Sequence, residues 1–329
     1  MRVGGVWLPA ADEPRRTGMT TTDSARTLDP PAARTPGEAA HDAQVETPPH
    51  GKHELPREPL VVIEPRNSYF DFQLRDIWAY RELLYFLMWR DVKVRYKQTL
   101  LGVVWVVLQP LMMMLIFTLF FGRLVGVQSD GIPYALFAYA GLLPWTFFAN
   151  ASTISGNSVV NNSGLVTKVY FPRAIVPAAA VGAVLVDFAI SSAVLAMLML
   201  YYGVQPTRGL LMLPALVLLI IMLTLGFGLL TSALNVKYRD IRLALPFFIQ
   251  VWFFASPIIY PSSIIPAAWR WLLMLNPMSG IVEGFRVALY GHKAFDWIGL
   301  TVSAAITVAL LLYAAFTFHR LEKGFADIV

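Results

Sequence analysis

The feature that most constrains this chain is a series of long segments without a charged residue, separated by short charged stretches. About 20 apolar residues are enough for a helix to cross the hydrocarbon core of a bilayer. The whole chain is 57% hydrophobic and only 14% charged, whereas a soluble domain has about 25% charged residues. The sequence therefore predicts an all-α integral membrane protein with six transmembrane helices, since a helix pairs its own backbone groups in lipid. The predicted spans cover residues 103–122, 134–156, 174–200, 211–234, 243–261 and 297–318.

The region between the fifth and sixth spans has a different pattern. Residues 271–282 are apolar but too few to cross, and Pro266, Asn276, Pro277 and Gly280 interrupt the region. Two re-entrant half-helices explain this pattern, and an external loop lying in the interface is the alternative. Irregular backbone at membrane depth is tolerated only where protein or water covers it, so the first interpretation points to a transport pathway.

The N-terminal part divides into two segments of unlike composition. Residues 1–67 contain 10 of the 22 prolines, 8 Lys/Arg and 10 Asp/Glu, which is typical of a disordered tail. Residues 68–99 place apolar side chains at helical spacing among basic ones, the pattern of an amphipathic helix in the membrane interface. We therefore expect a cytoplasmic tail at 1–67, an interface helix at 68–99 and a six-span domain at 100–329.

Basic residues near the span ends predict the orientation, because Lys and Arg concentrate on the cytoplasmic side. One side collects 11 of them and the other 5. Both termini are accordingly expected in the cytoplasm. The 11 residues are Arg90, Lys93, Arg95, Lys97, Lys168, Arg173, Lys237, Arg239, Arg242, Arg320 and Lys323.

The sequence offers no recognisable catalytic or metal-binding motif. It has no cysteine, which excludes thiol nucleophiles and cysteine-ligated metals. A nucleotide-binding phosphate loop, a GxGxxG turn and the HExxH and GxSxG motifs are also absent from it. We therefore predict no catalytic residues and no metal site, and the basic membrane part favours contact with lipid rather than nucleic acid.

A set of polar and aromatic residues forms the candidate pathway. Asp187 is the one ionisable residue deep in a predicted span, so it is expected to face the bundle interior. It is either an acceptor for a polar substrate or a protonated or hydrogen-bonded packing residue, for example one paired with Ser191 or Ser192. Most of the aromatic residues are expected to be interface anchors, while a minority lining a conduit would suit sugars, whose C–H faces pack on rings. The candidate pathway and gate residues are Tyr139, Trp145, Phe148, Asp187, Trp252, Tyr260, Trp271 and Asn276.

Two short loops on the predicted cytoplasmic side combine basic and aromatic residues. They cover residues 164–173 and 235–241. Each is either a positively charged flank with aromatic anchors or a docking surface for a soluble partner, since exposed aromatic residues and Arg are common anchors in protein interfaces.

Several segments carry a further signal when they are taken together and in order. They are Arg95–Trp105, Gly141–Asn150, Thr167–Arg173, Leu234–Ile241, Ser256–Tyr260, Leu275–Met278 and Leu321–Lys323. Over about residues 75–329 the chain resembles the permease subunits of bacterial ABC exporters for polysaccharides, the O-antigen, teichoic-acid and capsule class. Residues 1–67 lie outside this resemblance.

The resemblance implies a homodimer in the bacterial inner membrane that works with two copies of a separate ATPase subunit. That partner would bind ATP and Mg²⁺, so this chain would need no cofactor of its own. The half-helices at Ala267–Met274 and Ser279–Tyr290 would form an external gate, and the first, second and fifth spans would line a conduit for a lipid-linked polysaccharide. By the same resemblance, the ATPase-coupling residues are Lys168, Val169, Tyr170, Phe171, Pro172, Arg173, Tyr238, Arg239 and Asp240.

Three other functions remain open at this point. An exporter of drugs or small lipids would have the same architecture, and only the width and polarity of its conduit would differ. An intramembrane transferase would need a base or metal site that the sequence does not offer. An ion channel or secondary carrier is disfavoured, because there is one intramembrane charge and no internal repeat.

Overall fold

A computed structural model of the chain describes residues 78–97, 102–205, 207–322 and 324–325. The predicted tail at 1–67 and residues 68–77 and 98–99 of the predicted interface helix lie outside this part. Every regular element within it is a helix, which confirms the all-helical prediction. The helices are α1 Arg81–Lys97, α2 Gly102–Phe117, α3 Tyr134–Asn161, α4 Ser163–Lys168, α5 Ile175–Tyr201, α6 Leu213–Lys237, α7 Ile241–Ala255, α8 Arg270–Leu275, α9 Pro277–Tyr290 and α10 Trp297–Glu322.

Each predicted span contains one of these helices, and the helices fall into two groups. By length and composition, four stretches of the described chain can cross a membrane: Gly102–Leu124, Ile175–Tyr201, Arg208–Lys237 and Trp297–Glu322. The first joins α2 to a π-helical turn, and the third joins a 3₁₀ turn to α6. The second and fifth predicted spans, which correspond to α3 and α7, do not reach this standard.

Helix α3 is long enough to cross a membrane, but it is less apolar than the four spanning stretches because it lies inside the bundle. It has 28 residues, packs most extensively against α6 and α5, and continues past the predicted end at residue 156. Its later polar residues Ser152, Ser155 and Ser158 are buried. A helix surrounded by other helices can carry polar groups that a lipid-facing helix cannot.

Helix α7 falls short in length. Its 15 residues rise about 22 Å, less than the roughly 30 Å hydrocarbon core. The predicted span to residue 261 is therefore wrong at its end. Pro257 explains the early end, because the residue before proline avoids the helical region, and Ser256 has the extended angles φ −106° and ψ 145°.

Small residues allow the central helices to approach closely. A Cβ on Gly228 of α6 would lie 2.3 Å from Ser155 Oγ of α3, and a Cβ on Gly156 of α3 would lie 2.8 Å from Thr231 Oγ1. Asn235 of α6 also donates a hydrogen bond of 3.0 Å to the Gly156 carbonyl. Close contact of this kind is a main source of helix association in membranes, where no hydrophobic effect drives it.

The region between α7 and α10 forms two short helices, α8 and α9, which meet at Asn276 and Pro277. The expected interruption at Gly280 is wrong, since α9 runs through it. A Cβ there would lie 2.2 Å from Ser303 Oγ of α10, so Gly280 is a position of close helix packing and not a break.

Candidate functional site

The first candidate coupling loop, residues 168–173, is divided between exposed and anchored side chains. Lys168 ends α4, and Lys168, Val169 and Tyr170 are exposed, with Tyr170 at 82%. Phe171 is only 5% exposed and packs with Ile175 in a hydrophobic cluster. A partner could therefore contact Val169 and Tyr170 directly, whereas Phe171 belongs to the protein's own core.

Arg173 anchors the end of the same loop. Its Nη1 donates a hydrogen bond to the Glu322 carbonyl, and its guanidinium carbon lies 5.9 Å from the centroid of the Phe325 ring. Pro172 accepts a hydrogen bond of 3.0 Å from the Ile175 amide at the start of α5. These contacts tie the loop to the end of α10.

The second candidate loop lies between α6 and α7. Tyr238, Arg239 and Asp240 are all exposed, and Lys237 Nζ lies 5.2 Å from the centroid of the Tyr238 ring. Val236, just before this loop, belongs to the same hydrophobic cluster as Phe171. The two loops therefore lie at one end of the bundle.

Asp187 of α5 is paired with α1 and not with the neighbouring serines. Its carboxylate accepts hydrogen bonds from Arg95 Nη1 and the Tyr96 hydroxyl, while Ser192 donates to the Phe188 carbonyl at 2.7 Å. Burial and the hydrogen bond to Asp187 raise the pKa of the Tyr96 phenol. The Tyr96 phenol thus stays protonated and can donate this hydrogen bond. The suggested pairing of Asp187 with Ser191 or Ser192 is wrong, because its partners are Arg95 and Tyr96.

A cavity of about 470 Å³ opens beside this ion pair. Its lining includes Arg95, Asp187, Trp105, Gln109 and Asn150, which come from α1, α2, α3 and α5. The structure therefore places Asp187 at the wall of a cavity of mixed polarity, where both original interpretations of this residue remain predictions.

Three of the predicted pathway aromatics lie in the interior of the protein. Tyr139, Trp145 and Phe148 of α3 are buried. The Tyr139 hydroxyl donates to the Ser191 carbonyl at 3.1 Å, and the Trp145 and Phe148 rings lie 5.6 Å apart. These three side chains are therefore packed within the described part of the chain.

Trp271, in contrast, is 56% exposed on α8. Tyr260 is partly buried, and its hydroxyl donates to the Phe254 carbonyl at 3.1 Å. Both lie next to the break between α7 and α9, so they are accessible to lipid, to a second chain or to a substrate.

Asn276 and Trp252 are brought together by a direct hydrogen bond. Trp252 Nε1 donates to Asn276 Oδ1 at 2.8 Å, and the same oxygen accepts from the Met278 amide at 3.0 Å, capping α9. Asn276 Nδ2 in turn donates to Ser256 Oγ at 2.9 Å. One side chain thus joins the end of α7 to the beginning of α9.

Arg286 of α9 is a residue that the sequence reasoning missed. It is completely buried, and its guanidinium donates to the carbonyls of Pro257 at 2.7 Å and Ile258 at 2.6 Å. Its guanidinium carbon lies 3.6 Å from the centroid of the Phe137 ring. A Cβ on Gly141 would approach Arg286 Nη2 to 2.6 Å, so this glycine leaves room for the charge.

The available sequence signal for Arg286 was its spacing from Glu283. The two residues are one helical turn apart, and Glu283 Oε2 lies 3.6 Å from Arg286 Nη1. Side chains at this spacing are neighbours on a helix and can pair. The charge count had placed Arg286 among the five basic residues at the opposite span ends, where it was expected to be exposed.

A further group of charged side chains surrounds the end of α9. Lys293 Nζ lies 2.6 Å from Asp130 Oδ2 and 3.5 Å from Glu283 Oε1. Donor atoms of Asp130, Glu283 and His292 lie within 4.8 Å of one another. Burial and the neighbouring Lys293 lower the pKa of His292. The sequence did not predict this group, because Asp130 lies far along the chain from Glu283, His292 and Lys293.

Comparison with known proteins gives one family and several relatives. Residues 82–290 match the model of the ABC-2 type transporter family. The chain is 31% identical over 258 residues to the O-antigen export system permease protein RfbA of Myxococcus xanthus, covering 78% of this chain and 98% of the relative. It is 28% identical over 250 residues to RfbA of Klebsiella pneumoniae, covering 75% and 95%. It is 25% identical over 246 residues to the polysialic acid transport protein KpsM of Escherichia coli, covering 72% and 93%.

Proposed function

The chain belongs to the ABC-2 type transporter family, and on this premise we propose that it is the transmembrane permease subunit of an ATP-driven exporter of polysaccharide. The observation that carries the proposal is the match to O-antigen and polysialic acid export proteins over nearly their full length. The substrate is a lipid-linked glycan. An exporter of drugs or small lipids is the less favoured alternative.

The subunit crosses the bacterial inner membrane six times through α2, α3, α5, α6, α7 and α10, with both termini in the cytoplasm. The short α7 is followed by irregular backbone, in which the buried Arg286 guanidinium donates to the carbonyls of Pro257 and Ile258. Helices α8 and α9 enter the membrane again from the outer side as the gate. Helix α1 lies in the inner interface and is tied to α5 through Asp187.

Two such chains form the transporter together with two separate ATPase subunits, which bind ATP and Mg²⁺. The two copies meet along α2 and α7, where exposed apolar side chains suit either lipid or a second copy. They are Val103, Val104, Trp105, Phe247, Phe248 and Phe254. Because the α3 aromatics are buried within the chain, the conduit surface comes mainly from α2 and α7.

Coupling to the ATPase uses the exposed part of the two loops. Tyr170 and Tyr238 offer aromatic anchors with the charged Lys168, Arg239 and Asp240 around them. Movement of the first loop passes directly into α10 through Arg173 and into the core through Phe171. The chain itself performs no covalent chemistry and supplies the path and the mechanical link.

The test is inactivation of the gene in its host, followed by analysis of surface glycans and of lipid-linked intermediates inside the cell. We expect loss of one surface polysaccharide and accumulation of its lipid-linked precursor, both reversed by the wild-type gene. Unchanged glycans together with greater sensitivity to hydrophobic drugs would contradict the proposal and favour the alternative.

A further inference from the structure

A cavity of about 390 Å³ lies between α8, α9 and the beginning of α10. Its volume is within the range of about 300–1,000 Å³ that is usual for small-molecule sites. No contact described above for coupling or for the Asp187 pair involves it. It adjoins the two half-helices assigned to the gate.

Two serine hydroxyls in the wall of this cavity have no hydrogen-bond partner in the described protein. Ser279 is 6% exposed and Ser303 is 1% exposed, and both line the cavity. An unpaired buried hydroxyl costs about 1–3 kcal/mol. Glu283, in the same wall, is ion-paired through Oε2 with Arg286 and through Oε1 with Lys293. The wall thus holds two buried hydroxyl groups that a polar ligand can satisfy.

The rest of the lining is suited to a neutral ligand that is polar on its edges and apolar on its faces. Phe295, Leu300 and Met274 form an apolar surface, and sugar rings place their C–H faces on such surfaces. The charged lining residues are two basic and two acidic, which leaves no net charge to select an ion. They are Arg270, Lys293, Glu283 and Asp296.

The arrangement is less suited to a metal ion. Asp130, Glu283 and His292 have donor atoms close together, but Lys293 Nζ lies 2.6 Å from the Asp130 carboxylate and 3.5 Å from that of Glu283. The ammonium group thus takes the place of a cation between the two carboxylates and would repel another one.

We propose that this cavity is a binding site for a neutral sugar residue of the exported glycan. Ser279, Ser303 and Glu283 form hydrogen bonds to the sugar hydroxyls, and Phe295 packs against the ring. The proposal rests on the proposed function, from which it takes the class of ligand. A site at this place holds an emerging residue of the glycan beside the gate and opposes its return.

The binding test uses the full chain purified in detergent and saturation-transfer difference NMR. The probes are the methyl glycosides of glucose, galactose, mannose and rhamnose. We expect at least one to bind the wild type. Ser303→Ala should weaken that binding about three- to tenfold through loss of one hydrogen bond. Ala294→Trp, at an exposed lining position, should abolish it by filling the cavity.

The matched control is Ser152→Ala. Ser152 is likewise completely buried without a hydrogen-bond partner, but it lies on α3 and does not line the cavity. Both serine variants should leave the melting temperature of the sugar-free chain unchanged or slightly higher, because each removes an unpaired hydroxyl. Only Ser303→Ala should change sugar binding.

The results separate this proposal from the proposed function. Absence of binding by all four glycosides, equal binding by Ala294→Trp, or binding of Ca²⁺ in their place would overturn the sugar site. So would a lower melting temperature for Ser303→Ala with unchanged binding. The export function is read independently from the surface glycan after gene inactivation, and it can stand when the sugar site fails.

Discussion

Arginine side chains from neighbouring helices lie near the two ends of α3, and they differ in burial and in hydrogen bonding. At the Tyr134 end, Arg286 is completely enclosed and pairs mainly with backbone carbonyls. At the Asn161 end, Arg90 donates to Asn162 at 2.9 Å while remaining partly exposed, and Tyr170 extends into the surroundings. The Arg286 guanidinium is thus satisfied within the chain, whereas the loop side chains at the other end are open to a partner.

This difference indicates where movement can begin. The buried Arg286 guanidinium joins α9 to α3 and to residues 257–258. Separating these segments is unfavourable, because each broken hydrogen bond leaves an unpaired buried group. Exposed loop side chains have no such penalty, so they can gain contacts when a partner binds. We therefore expect substitutions at the Tyr134 end to affect stability and substitutions at the exposed loops to affect coupling.

The largest expected effect is at Arg286. Arg286→Met keeps most of the volume but leaves the Pro257 and Ile258 carbonyls and the Glu283 carboxylate without their donor. We expect a loss of about 3–5 kcal/mol in the free energy of unfolding, measured as a lower melting temperature of the purified chain. Arg286→Lys, with fewer donors, should be intermediate, and a wild-type melting temperature for Arg286→Met would show that the two ends do not differ.

The adjacent residues Phe171 and Tyr170 sharpen the comparison within one loop. Phe171→Ala removes a buried ring and should lower the free energy of unfolding by about 3 kcal/mol. Tyr170→Ala should change it by less than about 0.5 kcal/mol while reducing ATPase stimulation and export by the reconstituted transporter. Normal stimulation and export by the folded Tyr170→Ala variant would contradict the docking role.

Asp187→Asn should have a smaller effect than either buried substitution. Its pair with Arg95 is partly exposed, at 15% for the Asp187 side chain and 27% for that of Arg95, so we expect a loss of about 1–2 kcal/mol. Tyr96→Phe is the control, because it removes one hydrogen bond and keeps the charge pair. Loss of export by Asp187→Asn at unchanged stability would instead favour the role as a substrate acceptor.

The sequence predicted the helices well where a span faces lipid and less well where protein covers it. A uniformly apolar segment such as 297–318 predicts a transmembrane helix directly, because a helix that faces lipid must be apolar. Helix α3 carries buried serines that only its neighbours α5 and α6 explain. The end of α7 at Ala255 follows from Pro257, so the sequence near this position is sufficient to predict it.

The candidate site was only partly predictable for the same reason. The positions of the two loops follow from the pattern of spans and basic residues. The burial of Phe171, the pairing of Asp187 with Arg95, and the enclosure of Arg286 each join residues far apart in the chain. Such contacts depend on how the helices pack, which no local pattern in a single sequence specifies.

The smallest expected effect comes from His292, beside the enclosed end. Its folded-state pKa is lowered by burial and by Lys293, with Arg286 adding to the shift and Glu283 and Asp130 opposing it. The unfolded chain therefore binds more protons near and below the ordinary imidazole pKa of about 6.5, so stability is lost as the pH falls through that region. His292→Gln removes this contribution. The melting temperature should accordingly decrease less in this variant than in the wild type between about pH 7.5 and about pH 5.5. Equal decreases in melting temperature for the wild type and the variant would mean that His292 is solvated like the exposed loops. The difference between the two ends would then be limited to Arg286.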